Sequence, residues 1–213
     1  MSETNKWRYD VKNVHYIPGT YLDTGAVDYT GSTWKPTRGV TSFEADPQGD
    51  RTTHRADGQN YIVTSENTGY SITMAQIMED ENFQIDCLGY VRDTTTGLLY
   101  EDANAEARPF ALGGEFTGNH EGKRWIYYNC IASRTKENGE NKDKQKDPDT
   151  SSWGITASPM PVMINGHEVM LTKASIKPSD DATAYENFFS QVVIPGTAVV
   201  SGTEAPTDVV TGG

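Results

Sequence analysis

Lys123–Arg134, KRWIYYNCIASR, is the stretch on which the fold turns. In an extended chain successive side chains point to opposite faces. On that period Trp125, Tyr127, Asn129 and Ile131 share one face, and Ile126, Tyr128, Cys130 and Ala132 the other. Both faces are largely apolar, so the segment reads as a strand covered on both sides, not one with a wetted face. Upstream, RPFALGGEFTG (Arg108–Gly118) places Phe110, Leu112, Gly114 and Phe116 on one face, and a turn at GNHEG joins the two. Downstream, TSSWGITASP (Thr150–Pro159) reads as a partner strand reached across the charged run Lys136–Thr150.

Further strands are expected at VKNVHYIP (Val11–Pro18), GVTSFEA (Gly39–Ala45) and EVMLTKASI (Glu168–Ile176). In GVTSFEA, Val40, Ser42 and Glu44 fall on one side and Thr41, Phe43 and Ala45 on the other. NYIVTSENTGYSITMAQI (Asn60–Ile77) reads as two strands joined at Glu66–Gly69, with Tyr70, Ile72 and Met74 on one face. Tyr21–Pro36 reads as a connection, and Leu98–Tyr100 as a short strand after the turn TTTG. Two segments change period. Met78–Tyr90 spaces Phe83 from Cys87 and Ile85 from Leu88 as a helix does, with acidic residues in its first turn and Gly89 as a stop. Ala182–Val193 reads as a second helix with Tyr185, Phe188, Phe189 and Val192 inward. The expected architecture is mostly β, an antiparallel sandwich or barrel with one or two short helices and long polar loops or arms. One domain over residues 1–194 and a tail over 195–213 account for the chain.

Composition agrees. Among 213 residues 35% are hydrophobic, enough for a core, and the 11 tyrosines suit half-wet sheets and interfaces. Thirty Asp and Glu against 18 Lys and Arg leave a formal net charge of -12, which repels a phosphate backbone and argues against nucleic-acid binding. The two cysteines, Cys87 and Cys130, are expected to be buried free thiols. The first residues lack the pattern of a signal peptide, and no stretch has the run of apolar residues that a membrane span needs.

Chemistry-bearing motifs are missing. His15, His54, His120 and His167 are not paired at metal-ligand spacing, and Glu79, Asp80 and Glu81 read as a solvated helix start rather than a calcium site. No nucleophile elbow, phosphate loop or dinucleotide fingerprint occurs. Neither catalysis nor a cofactor is expected.

Two polar excursions stand out instead. Asp46–Asn60 carries Arg51, His54, Arg55 and Asp57. Lys136–Thr150 mixes Lys136, Lys142 and Lys144 with carboxylates such as Asp147. Loops beyond about 12 residues are uncommon in compact domains unless they serve a function or are disordered. Mixed charge of this kind suits contacts between copies of one protein.

The order of segments completes the reading: VKNVHYIP, a long arm after FEADP, a short helix into DCLGY, RPFALGGEF, KRWIYYNCIASR, a charged loop, then WGITASP. It resembles the major tail protein, or tail tube subunit, of long-tailed phages of the non-contractile, siphovirus type. A tube subunit from a contractile machine is close to it in physics. The resemblance spans roughly Val11–Val192 and implies a β-sandwich flanked by a helix, six subunits joined into a ring through sheet edges, and rings stacked into a tube. The excursions would then touch neighbouring subunits. Tape-measure, terminator and distal-tail proteins would be the partners, assembly would take place in the host cytoplasm, and the virion would be the destination. An electronegative lumen would let DNA pass without holding it, with Glu115 as a candidate lining residue. A different class of function, a β-sandwich binding carbohydrate or a surface ligand through Trp34, Trp153 and Tyr61, is the alternative.

Overall fold

The computed structural model describes residues 10–56, 59–78, 80–118, 122–136 and 150–197, and over 54–63 the course of the strands alone. Its main sheet is antiparallel throughout. It contains β1 (Asp10–Pro18), β4 (Lys35–Pro36), β5 (Val40–Gln48), β8 (Gly69–Gln76), β11 (Phe110–Thr117), β12 (Lys123–Ala132), β13 (Ser151–Ala157) and β16 (Lys173–Ile176). The strand order is β4-β1-β11-β12-β13-β8-β5, with β16 also on β12. Small hairpins flank it: β2 (Thr20–Tyr21) with β3 (Val27–Asp28), β9 (Val91–Arg92) with β10 (Leu99–Tyr100), and β14 (Met160–Ile164) with β15 (His167–Leu171). A fourth pairs β6 (Arg51–Ala56) with β7 (Gln59–Ser65). The chain is mostly β, as its periodicities require.

Strand β12 is covered on both faces, and the cover explains its composition. Trp125, Tyr127, Cys130 and Ala132 enter one core with Val14, Tyr16, Phe83, Phe110, Leu112 and Trp153. Ile126 and Tyr128 enter a second with Ile17, Ala111, Met160, Leu171 and Phe188. Strict alternation holds only to Tyr128. Asn129 then adopts a left-handed backbone, φ 44°, and the register against β11 slips between the pairs Leu112–Tyr127 and Phe110–Cys130. This bulge changes the parity, so Cys130 and Ala132 join the face of Trp125 instead of the opposite one. Asn tolerates that conformation, and here its side chain also accepts a hydrogen bond from Tyr21 Oη at 2.9 Å.

The bulge is also where β12 changes partner. Arg124–Tyr127 pair with β16, whereas Cys130–Ala132 pair with β13. The predicted partnership across the charged run is therefore present but short, and β13 spends its full length on β8. The single strand expected over Glu168–Ile176 is two. The break falls at buried Thr172, whose carbonyl accepts from Tyr128 N at 3.0 Å. In β5 a register shift between Val40 and Ser42 lets Val40 pack on the first core together with Phe43 and Ala45.

The first helical segment is shorter than Met78–Tyr90. Asp80 caps it by accepting from Phe83 N at 3.1 Å. α1 (Glu81–Phe83) runs into a π turn, Gln84–Leu88, that ends at Gly89. The wider turn brings Phe83 and Leu88, five apart, into the core with Cys87, while Ile85 is only half-buried. Phe83 meets Tyr16, Phe110 and Trp153 edge-on at centroid distances of 5.0, 5.3 and 5.1 Å, plugging the curl of the sheet. Fully burying one such ring is worth about 1.5–3 kcal/mol. α2 (Ala182–Glu186) and the 3-10 turn Asn187–Phe189 lie against the second core, with Phe188 buried and Phe189 and Val192 packed beside it. Tyr185 is half-buried under the Arg124 guanidinium, 4.0 Å from its ring centre.

Candidate assembly surfaces

The excursion after FEADP is no loop. Strand β5 continues to Gln48 against β8, and beyond a joint the same two chain directions pair again as β6 and β7. Glu66 N donates to Asp50 O at 3.0 Å and Thr68 N to Gln48 O at 3.0 Å, so the ladder crosses the joint. The two strands expected in Asn60–Ile77 thus pair with β6 and β5, not with each other. Every residue from Asp46 to Thr53 and from Thr64 to Thr68 is exposed. Because neighbours in a strand face opposite ways, both faces of this part of the ribbon are wet. It stands clear of the domain as an arm.

The joint explains a glycine. Gly49 has φ 140°, and a Cβ there would lie 2.0 Å from Glu66 O. Only a residue without a side chain lets the two backbones approach so closely.

The proposed contact residues separate into groups. Arg51 is exposed at the base of the arm, opposite Ser65. His54 and Arg55 are on β6, opposite Ile62 and Asn60, with a bulge between them. Lys136 is exposed where the charged run begins. Asp57, Lys142, Lys144 and Asp147 lie outside the described residues, as do His120 and Glu79. Glu115 is half-buried beside Arg124, at 3.5 Å from Nε, and accepts from Asn13 Nδ2 at 3.3 Å.

Sheet edges are the second surface. Among the described residues β5 ends the main sheet with β8 as its one main-sheet neighbour, while the outer side of β1 is paired by β4 at His15 and Tyr16 and receives Thr37 N at Val14 O. Unpaired backbone donors and acceptors along such edges invite another strand. Apolar side chains mark a third surface, not singled out by sequence reasoning: Met163, Val169 and Met170 on β14–β15, and Val91, Leu98 and Tyr100 on or beside β9–β10 are exposed. Val169 and Met170 are adjacent in β15 and both exposed, so no alternation in the sequence marks this surface.

No protein-family model matches the chain, and no curated protein does. Among solved structures, the cryo-EM structure of the anti-feeding prophage cap (AFP tube terminating cap) is a distant likeness. It has a TM-score of 0.46 and 11% identity, over 83% of this chain and 99% of that one.

Two of the three rings of the alternative aromatic platform are taken up in the cores, and the third, Tyr61, lies among the residues whose side chains are not described. Trp153 is 1% exposed in the first core, its Nε1 donating to Gln76 Oε1 at 2.7 Å. Trp34 packs on the second core, edge-on to Phe189 at 5.6 Å. Among the described residues no three His, Cys, Asp or Glu side chains come together as metal ligands, and no helix is long and apolar enough to cross a membrane. Cys87 and Cys130 are both buried free thiols, and burial pushes each above its ordinary range.

Proposed function

We propose that this chain is a self-assembling structural subunit of a phage tail tube, built into rings through its sheet edges and linked from ring to ring by the β6–β7 arm. The observation that carries the reading is the arm. A two-stranded hairpin with both faces in water is marginal alone. An arm of this build gains stability when its backbone and side chains meet another surface. The segment order of the sequence, which resembles the major tail proteins, supplies the identity of that surface: a second copy. The free edge of β5 supports lateral pairing between copies.

In this reading Arg51, His54, Arg55 and Asp57 contact the next ring, and Lys136, Lys142, Lys144 and Asp147 a neighbour. The tape-measure, terminator and distal-tail proteins are the further partners, and DNA passes through the lumen unbound. The virion tail is the final location. Glu115, neutralised by Arg124, adds little to a repulsive lining, so unpaired carboxylates would have to provide it.

The test is electron microscopy of the protein with Asp50–Ser65 replaced by a short Gly-Ser linker. The cut follows the joint, so β5 and β8 keep their ladder. The expected result is an intact, cooperatively unfolding domain that forms no long tubes under conditions where the parent does. Tubes of parental length from the armless protein would refute the proposal.

A further inference from the structure

A groove of about 640 Å³ opens between the edge strand β5 and the strands β1, β12 and β16. Its volume lies within the range of small-molecule sites, about 300–1,000 Å³. Phe43 and Trp125 stack at 4.4 Å, with interplanar angle 29°, and form its apolar floor together with Phe116 and Tyr127. The register dictates this floor. Lys123, Trp125 and Tyr127 alternate along one face of β12, Lys123 is opposite Phe116, and Tyr127 is opposite Lys173. The indole can lie flat there because its strand neighbour is Gly114, where a Cβ would come within 2.5 Å of the Trp125 ring.

Charge is the second observation. Lys12, Lys123 and Lys173 line the groove, with Asp10 the single carboxylate in its lining. Among the described residues none of the three lysines forms an ion pair; Lys173 instead lies over the Tyr70 ring at 4.4 Å. A cluster of unpaired cations is unusual on a chain of net charge -12, and it marks the groove as locally electropositive. The third observation is an orphan. Trp125 is 4% exposed, and its Nε1 donor is buried without an acceptor. Trp34 Nε1, Thr37 Oγ1 and Arg124 Nε share that condition among the described residues, and ordered water can satisfy such groups, so the indole adds to the shape and charge of the groove without carrying the site alone.

We propose that this groove binds a small amphipathic anion: a flat apolar body against the aromatic floor, with a carboxylate or sulfonate held by Lys123 and Lys173. The site does not involve the arm, but β5 and β1 border it and are also the sheet edges offered for lateral pairing, so binding is measured on the unassembled protein and is read separately from tube formation.

The probe is 8-anilinonaphthalene-1-sulfonate, with uncharged N-phenyl-1-naphthylamine as its control, added to the full-length native protein. Binding is followed by fluorescence and by the indole N–H cross-peaks of the four tryptophans. Saturable one-to-one binding of the sulfonate is expected, moving the one cross-peak that Trp125→Phe deletes. Lys123→Glu and Lys173→Glu should each weaken the sulfonate about tenfold and leave the uncharged control within about twofold. Should either reversal disturb the near-ultraviolet dichroism, Lys123→Gln and Lys173→Gln replace them, with about threefold losses expected. Three results would overturn the proposal: no saturable binding, movement of a different indole, or equal losses for both probes on lysine substitution. None of these bears on whether the armless protein forms tubes.

Discussion

Tyr16 has no solvent exposure, and its hydroxyl donates to Asp86 Oδ2 at 2.8 Å. Lys35 Nζ reaches the same oxygen at 2.6 Å, but the lysine side chain is 40% exposed. The two interactions are therefore unequal. Without Asp86 the lysine returns to water, whereas the tyrosine hydroxyl stays buried and unsatisfied, at a cost of about 1–3 kcal/mol. Asp86→Ala should lower stability by that amount in urea unfolding, and Lys35→Ala by no more than about 1 kcal/mol. His15 has a pH signature. Burial holds its ring below the ordinary 6.5, outweighing the hydrogen bond with the Asn13 carbonyl that raises it, and Arg124 lowers it further. The unfolded chain therefore takes up the proton first. Stability due to this group is complete above about 6.5 and is lost as pH falls below it. The fall in melting temperature between pH 7.5 and 5.5 should be smaller in His15→Gln than in the parent. The thiols of Cys87 and Cys130 should resist iodoacetamide in the native protein at pH 8 and react only as fast as the chain opens, because burial keeps them protonated.

At the scale of elements, the arm and the bulged strand obey different rules. The described residues on either side of the joint are all exposed, so the ladder there depends on backbone geometry. Gly49→Ala would force a side chain against Glu66 O in a backbone region that L residues rarely enter. Amide exchange should accelerate through β6 and β7 and stay unchanged in β11 and β12. Equal protection of the arm in both proteins would show that the joint has another way to relax. Strand β12 has the reverse character, being clamped on both faces, and its bulge is held by tertiary partners. Asn129→Ala removes both the residue suited to φ 44° and the acceptor for Tyr21 Oη, and should destabilise by about 1–2 kcal/mol in the same urea assay.

For the whole molecule, charge and exposed apolar surface compete. Copies with net charge -12 repel one another over a distance set by salt, about 10 Å at 0.1 M. The inter-subunit contacts proposed for Arg51 and its neighbours would operate at closer range and be screened less. Assembly followed by light scattering is therefore expected to strengthen from 0.02 to 0.15 M salt. An onset concentration unaffected by salt would shift the weight to the exposed Met163, Met170, Leu98 and Tyr100.

The sequence by itself determined the class of fold, the two-sided cover of KRWIYYNCIASR and the place after FEADP where polar chain leaves the main sheet. Those are properties of local composition and period, which hydrophobic burial imposes on any strand. Tertiary structure alone decided the parity change at Asn129, since Tyr21, Tyr29 and Thr172 meet that bulge from distant parts of the chain. It also decided that Asp46–Asn60 belongs to a ladder. Arg51–Ala56 shows no apolar alternation, and its pairing with β7 rests on backbone hydrogen bonds that every residue type can make. The lysine-rimmed groove was equally silent, because Lys12, Lys123 and Lys173 are brought together only by the register of β1, β11, β12 and β16.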